Sequence, residues 1–180
     1  MSDKPMLVTE RLELWRPQPG DRALLEAMMQ PAAVRQYLGA MEPTSSDVFA
    51  RLLRNAGSWS LYGYGTFMVR ERGEAPIIGN CGVFRSWRGL GADFDDQPEA
   101  GWILAESQFG QGVAREAMDA ALAWFDREHG GCKVVAMISP DNAPSISLAA
   151  KLGFAPTRLA TLPGGDEQVQ LFERPPAQGI

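Results

Sequence analysis

The stretch Phe109-Gly110-Gln111-Gly112-Val113-Ala114-Arg115-Glu116-Ala117 follows an apolar run and opens an amphipathic segment. Glycines at 110 and 112 let the backbone turn without Cβ clashes, so successive N–H groups can point at one anion where the helix dipole is positive. A pyrophosphate suits such a cradle. A Gly-x-Gly pair alone is equally compatible with a tight strand-to-helix turn, so the flanking segments decide.

Upstream, residues 99–104 read as a strand that feeds directly into the loop. Downstream, Ala114, Ala117, Ala121, Trp124 and Phe125 share one helical face, and Arg115, Asp119 and Asp126 share another. Gly130-Gly131 ends that helix, and residues 133–138 form a short apolar strand, which together make a right-handed βαβ unit. Asn142-Ala-Pro-Ser145 then starts a helix that runs to Leu152 and stops at Gly153.

The remainder is arranged around this unit. Residues 11–16 alternate polar and apolar up to Pro17, as a strand would. Asp21 is the expected cap of a helix carrying Leu24, Leu25, Met28 and Met29, which ends at Pro31. A second helix is expected from Ser45 or Ser46, with Val48, Phe49, Leu52 and Leu53 on one face. Residues 66–70 and 77–84 suggest an antiparallel hairpin, residues 85–98 a long polar surface connection, and residues 168–173 a closing strand. The loop 37–43 and the aromatic stretch 59–64 have the composition of a pocket wall, although core packing is the stronger expectation for most of those side chains.

Composition narrows the function classes. The 180 residues, 45% of them hydrophobic, are enough for one well-buried core, and a single domain over 1–180 is expected. A net charge of −5 with no basic run argues against a nucleic-acid partner. Cys81 and Cys132 lie far apart without CxxC spacing, and His129 is the sole histidine, so neither a metal site nor a disulfide framework is expected. His129 closes the long helix, where a cation is favoured, and reads as structural. No apolar run approaches the ~20 residues that span a bilayer, and Met1-Ser2-Asp3-Lys4-Pro5 lacks an apolar signal core. A cytoplasmic protein without membrane partners is the expectation.

Three segments together resemble the GCN5-related N-acetyltransferase (GNAT) superfamily, and within it the RimJ/RimL-type branch that acetylates ribosomal-protein N-termini. They are Thr9-Glu10-Arg11-Leu12, then residues 99–105 through Gly110-Gln-Gly-Val-Ala-Arg-Glu-Ala117, then Asn142-Ala-Pro-Ser145 through Lys151-Leu-Gly-Phe154. The resemblance implies a mixed α+β fold: a mostly antiparallel sheet of six to seven strands, splayed between the fourth and fifth, with about four helices. It also implies acetyl-CoA as co-substrate and a primary amine as acceptor, either a protein N-terminus or a small molecule. Ile103, Leu104 and Ala105 would offer a strand edge to the pantetheine amides. The loop Phe109, Gly110, Gln111, Gly112, Val113, Ala114 and Arg115 would hold the pyrophosphate. Phe109 departs from the Gln or Arg frequent in the superfamily and fits the aromatic common in this branch.

Acetyl transfer needs a neutral amine, a polarised thioester carbonyl and a stabilised leaving thiolate. A backbone N–H near Leu104 suits the oxyanion. The resemblance implies that Glu99 receives the amine proton through water, that Asn142 binds the pantetheine arm and that Ser145 stands near the sulfur as acid. Many members instead carry a tyrosine further along this helix; here that position is Ala149. Read from the residues alone, Glu99 is equally a strand-end carboxylate and Asn142 an ordinary helix cap. Two rivals therefore stay open: an acyl-CoA-binding sensor without activity, and an unrelated nucleotide-binding domain, which would need a ribose-binding acid that has no candidate at the expected spacing. The protein is expected to be a monomer or homodimer.

Overall fold

The computed structural model describes residues 4–38 and 42–177. Part of the loop expected at 37–43 therefore lies outside the described residues. The chain runs through β1 (Leu7–Val8), β2 (Leu12–Trp15), α1 (Asp21–Met29), α2 (Ala32–Arg35), α3 (Ser45–Tyr62), β3 (Thr66–Glu71), β4 (Gly79–Phe84), α4 (Ala92–Asp95), β5 (Glu99–Leu104), α5 (Val113–His129), β6 (Val134–Ile138), α6 (Ala143–Lys151), β7 (Ala155–Thr161) and β8 (Gln168–Arg174). One sheet takes the strands in the order β1-β2-β3-β4-β5-β6-β8-β7, antiparallel throughout except for β5 against β6. This is the mixed α+β architecture anticipated, with eight strands and six helices. The additions are short or exposed: β1 has two residues, α2 and α4 have four each, and six of the seven residues of β7 are exposed.

Strand alternation sorts the core onto two faces. Leu12 and Leu14 of β2, Phe67 and Val69 of β3, Cys81 and Val83 of β4, and Ala100 and Leu104 of β5 join Val113, Ala117, Met118 and Phe125 of α5 in the largest cluster. Ala149 and Leu152 place α6 on this same face. On the opposite face Met68 and Ile103 pack with Leu25, Met28 and Met29 of α1 and Val48 and Leu52 of α3. Further along that face, over β6 and β8, Leu90 and Phe94 cover Val135, Val169 and Leu171.

Several local expectations are corrected. Gly20 occupies the cap position of α1. Asp21 is the first helical residue and is buried, with Oδ2 accepting from Gln18 N–H at 2.7 Å and Oδ1 from Arg70 Nη2 at 2.6 Å. A carboxylate removed from water needs such partners more than a helix needs a cap. α3 is capped by Thr44, whose hydroxyl accepts from Asp47 N–H while the Asp47 carboxylate accepts from Thr44 N–H, a box worth about 1 kcal/mol. Its buried stripe is narrower than anticipated: Val48 and Leu52 are covered, whereas Phe49 and Leu53 are 48% and 54% exposed. The connection 85–98 is a covering element of the sheet, organised by Asp95, which accepts from the N–H groups of Arg88, Leu90 and Gly91 at 2.8, 2.9 and 3.2 Å.

Candidate functional site

β5 and β6 begin side by side and then part. Their ladder is confined to Glu99↔Val135, with Val135 N–H donating to Pro98 O at 2.9 Å. On the other edge of β5 the ladder with β4 continues, and Ala105 N–H still reaches Ile78 O at 2.8 Å. Peptide groups alternate sides along a strand, so the N–H groups of Trp102 and Leu104 face the edge that β6 has abandoned. A splayed parallel pair thus creates a strand edge inside a sheet, open to an extended amide chain.

At the C-terminal end of β5 the chain passes through Phe109, which is 50% exposed, to Gly110 and Gly112. Both glycines have left-handed φ, +73° and +77°, a region that L side chains enter only at a cost. Gly112 is the residue before α5 and brings no side chain to cap it. The first intrahelical bond runs from Glu116 N–H to Gly112 O at 3.0 Å, so the amides of Val113, Ala114 and Arg115 have no partner within the helix. Arg115 directs its side chain to Asp119 at 2.5 Å. Its backbone N–H stays among the open amides of the helix start.

The segment 9–12 holds this loop. Thr9 Oγ1 and Arg11 N–H both donate to Glu116 Oε1, at 2.6 and 3.0 Å, Arg11 Nε donates to Oε2 at 2.6 Å, and Arg11 Nη1 reaches Gln111 O at 3.1 Å. Burial raises the Glu116 carboxyl, yet the bonds from Thr9 and Arg11 outweigh it and hold the group below its usual range.

Across the opening, Asn142 stands at the N-terminus of α6, its Oδ1 accepting from Ser145 N–H at 3.1 Å. Ser145 Oγ accepts from the indole Nε1 of Trp102 at 3.2 Å. Trp102 shares the face of Ala100 and Leu104 and is half-buried, packed against the main cluster and not enclosed in it. Ala149, one turn further along α6, is fully buried. Tyr37, from the segment before α3, reaches the same corner by donating to Asp141 O at 3.2 Å.

Glu99 lies on the opposite face of β5, at the level where the strands still pair. It is only 3% exposed. Oε1 accepts from Arg88 Nη2 at 2.8 Å, and Oε2 accepts from Arg88 Nε at 2.9 Å and from Ser86 Oγ. A carboxylate offers about four acceptor positions, so one remains, on Oε1. Arg51 of α3 belongs to this face as well: burial, and then the cations of Arg54 and Arg88, push its guanidinium below the ordinary value. No carboxylate pairs with Arg51 among the described residues. Trp87 is 78% exposed, outside this cluster. His129 stands apart, stacked on Phe125 at 5.4 Å between ring centroids.

A family model, the acetyltransferase (GNAT) domain, matches residues 11–155. The chain belongs to the GNAT acetyltransferase family. A structure assigned to that family from Bordetella pertussis is 33% identical and superposes with a TM-score of 0.83, covering 93% of this chain and 98% of that one. YkkB of Bacillus subtilis (strain 168), an uncharacterised protein, is 25% identical over 178 residues, 97% of this chain and 98% of its own. RimL, a ribosomal L7/L12 alpha-N-protein acetyltransferase in complex with coenzyme A, shares the fold at 17% identity, with a TM-score of 0.72 over 94% of this chain and 97% of that one.

The motif segments thus lie around the parting of β5 and β6, with Glu99 and the Trp102–Ser145 contact on opposite faces of β5. Ser86, Arg88 and Arg51 were not singled out from the sequence as residues, although they stand on the connection 85–98 and on the helix that starts at Ser45. Their contacts join separate elements, so no local spacing marks them. Among the described residues no cluster of His, Cys, Asp and Glu could hold a metal ion, and no helix is long and apolar enough to cross a membrane.

Proposed function

We propose that this protein transfers an acetyl group from acetyl-CoA to a primary amine, by direct attack of the amine on the thioester within a ternary complex. The observation that carries the reading is the strand edge released where β6 leaves β5, flanked by the uncapped start of α5. Pantetheine amides add to that edge along Trp102, Ile103, Leu104 and Ala105, and the pyrophosphate sits on the amides from Gly110 to Arg115. Asn142 and Ser145 approach the arm from the other side. The opening suits acetyl-CoA on chemical grounds, because it pairs amide donors with an anion cradle along one line.

The chemistry follows from the two faces. The amine nitrogen attacks the carbonyl carbon from the face of Glu99, and the carbonyl oxygen gains charge against a β5 N–H. The C–S bond then breaks with its electron pair on sulfur, and the nitrogen loses its proton through a water to the open position on Glu99 Oε1. Ser145 donates a hydrogen bond to the departing sulfur. An aliphatic hydroxyl is a far weaker acid than a thiol, so its proton stays on Oγ and the sulfur leaves as thiolate.

Arg51 has no carboxylate partner among the described residues, and it favours an amine that also bears a carboxylate or phosphate over a polycation. An N-terminal amine of an acidic protein and an anionic small molecule both meet that description. Two observations favour a silent acyl-CoA sensor instead: Glu99 already holds three donors, and residue 149 is a buried alanine in place of a tyrosine.

Calorimetric titration with acetyl-CoA, wild type beside Gly112→Glu, tests the donor site, and thiol release with a panel of amines tests turnover. Micromolar binding lost in the variant, with release dependent on amine, supports the enzyme. Binding without release supports the sensor, and no binding to either protein overturns both.

A further inference from the structure

We propose that Trp102 is the positioning residue that makes Ser145 a hydrogen-bond donor to the leaving sulfur. The inference rests on the reading of Ser145 given above and adds the residue that orients it. Ser145 Oγ lies 3.2 Å from Trp102 Nε1, and Ser145 N–H is already engaged by Asn142 Oδ1 at 3.1 Å. An indole N–H is a donor only, whereas a hydroxyl both donates and accepts. The contact therefore has one possible polarity: the indole occupies a lone pair of Oγ, and the hydroxyl proton is left to turn elsewhere.

The space it can turn to is the opening between β5 and α6. Trp102 stands on β5 and Ser145 in the first turn of α6, so their bond spans the two walls between which the thioester would lie. The indole is packed against the main core cluster, which limits its freedom to move away. A donor bond into Oγ also polarises the hydroxyl and strengthens the bond it gives on. The nine-residue helix α6 adds its positive end at the same point, favouring negative charge on sulfur. In a chain whose residue 149 is alanine, a serine oriented in this way provides the sulfur contact.

The test is a double-mutant cycle on Trp102→Phe and Ser145→Ala, reading kcat and KM by thiol release, acetyl-CoA Kd by calorimetry and the thermal midpoint of all four proteins. Phenylalanine keeps most of the aromatic packing and removes only the donor. Expected is a loss in kcat of about 5- to 20-fold for each single variant, consistent with one charge-assisted hydrogen bond. The double variant should be no slower than Ser145→Ala, and Kd should stay within about twofold of wild type throughout. Independent, multiplying losses would show a packing role for Trp102 and overturn the inference. A full loss in Ser145→Ala with none in Trp102→Phe overturns the inference alone, whereas an unchanged Ser145→Ala overturns the role of Ser145 and the inference with it. Should Trp102→Phe unfold, Trp102→His retains an N–H donor, and kcat close to wild type in that variant supports the inference while a loss equal to that of Ser145→Ala overturns it.

Discussion

Arg11 and Glu116, 105 residues apart in sequence, meet at 2.6 Å and join the second strand to the first turn of α5. The bond lies next to the glycine loop, and the same guanidinium holds Gln111 O. Two of the segments that carried the family resemblance are thus a single structural unit: residues 9–12 set the angle at which the loop amides are presented. Because the folded carboxyl of Glu116 lies below its unfolded value, its contribution to stability is present above the unfolded pKa and is lost as pH falls through the folded one. Glu116→Gln should cost about 1 kcal/mol or less at pH 7, since Arg11 is half-exposed and screened. It should weaken acetyl-CoA binding several-fold there. Thermal unfolding of both proteins between pH 7 and pH 3 checks this, with the gap closing below the ordinary carboxyl value of 4.5.

Gly112 separates two ways of damaging the cradle. A Cβ at this position would find only Arg11 Nη2, at 3.7 Å, so Gly112→Ala meets no clash and bears only the left-handed φ, about 1–2 kcal/mol. Gly112→Glu bears the same strain and adds an anion beside the loop amides. Titration with acetyl-CoA should show a modest loss for alanine and at least a tenfold loss for glutamate, with equal thermal midpoints for the two variants.

The central βαβ unit was legible because its signals are local: an apolar run, two glycines, an amphipathic repeat and a double-glycine stop. Of the closing hairpin only the second strand was, at residues 168–173. β7 carries Pro156 and exposes nearly its whole length, so it shows neither alternation nor an apolar run and is a strand only because β8 supplies the ladder. Asp21 misled for the opposite reason: an acid at a helix start is the usual cap, and only tertiary structure brings Arg70 close enough to draw it inward. At the site, glycine and helix-start signals pointed to the donor groove, whereas the Trp102–Ser145 and Arg88–Glu99 contacts cross between elements and left no spacing to read.

Glu99 and Arg88 form a buried, two-pronged pair, and its members should respond differently to removal. Glu99→Gln keeps the shape but leaves Arg88 without its charge partner. A fall in thermal midpoint of several degrees is expected, from a cost of roughly 1–3 kcal/mol. If the last acceptor position on Oε1 relays the amine proton, kcat should also fall by about 10²-fold with acetyl-CoA Kd unchanged. A stable Glu99→Gln variant with wild-type kcat would remove Glu99 from the chemistry and leave it as the anchor of the 85–98 connection.

The two cysteines should differ in reactivity. Cys81 is enclosed between the sheet and α5, and burial pushes its thiol up to about 12. Cys132 is half-buried, with burial and then Asp126 raising its thiol more modestly. The thiolate is the reactive form, so alkylation at pH 8 should label Cys132 slowly and Cys81 only after unfolding. Mass spectrometry should count one adduct in the native protein and two in denaturant.

Arg51 bears on the acceptor. A half-buried guanidinium that feels the cations of Arg54 and Arg88 is stabilised by any anion that enters beside it. Anionic acceptors should therefore gain more from Arg51 than neutral ones do, by about 1.5–3 kcal/mol for a charge-assisted bond, or roughly 10- to 100-fold in kcat/KM. Arg51→Met keeps an unbranched apolar stem at this position of α3 and removes the charge. Thiol-release kinetics with paired acceptors, one amine carrying a carboxylate and its neutral amide counterpart, should show a wild-type preference for the anion that the variant abolishes while acetyl-CoA Kd holds. A preference for the amide in the wild type, or a variant that loses both acceptors equally, would place the anion-binding role elsewhere and return the choice of acceptor to the shape of the opening.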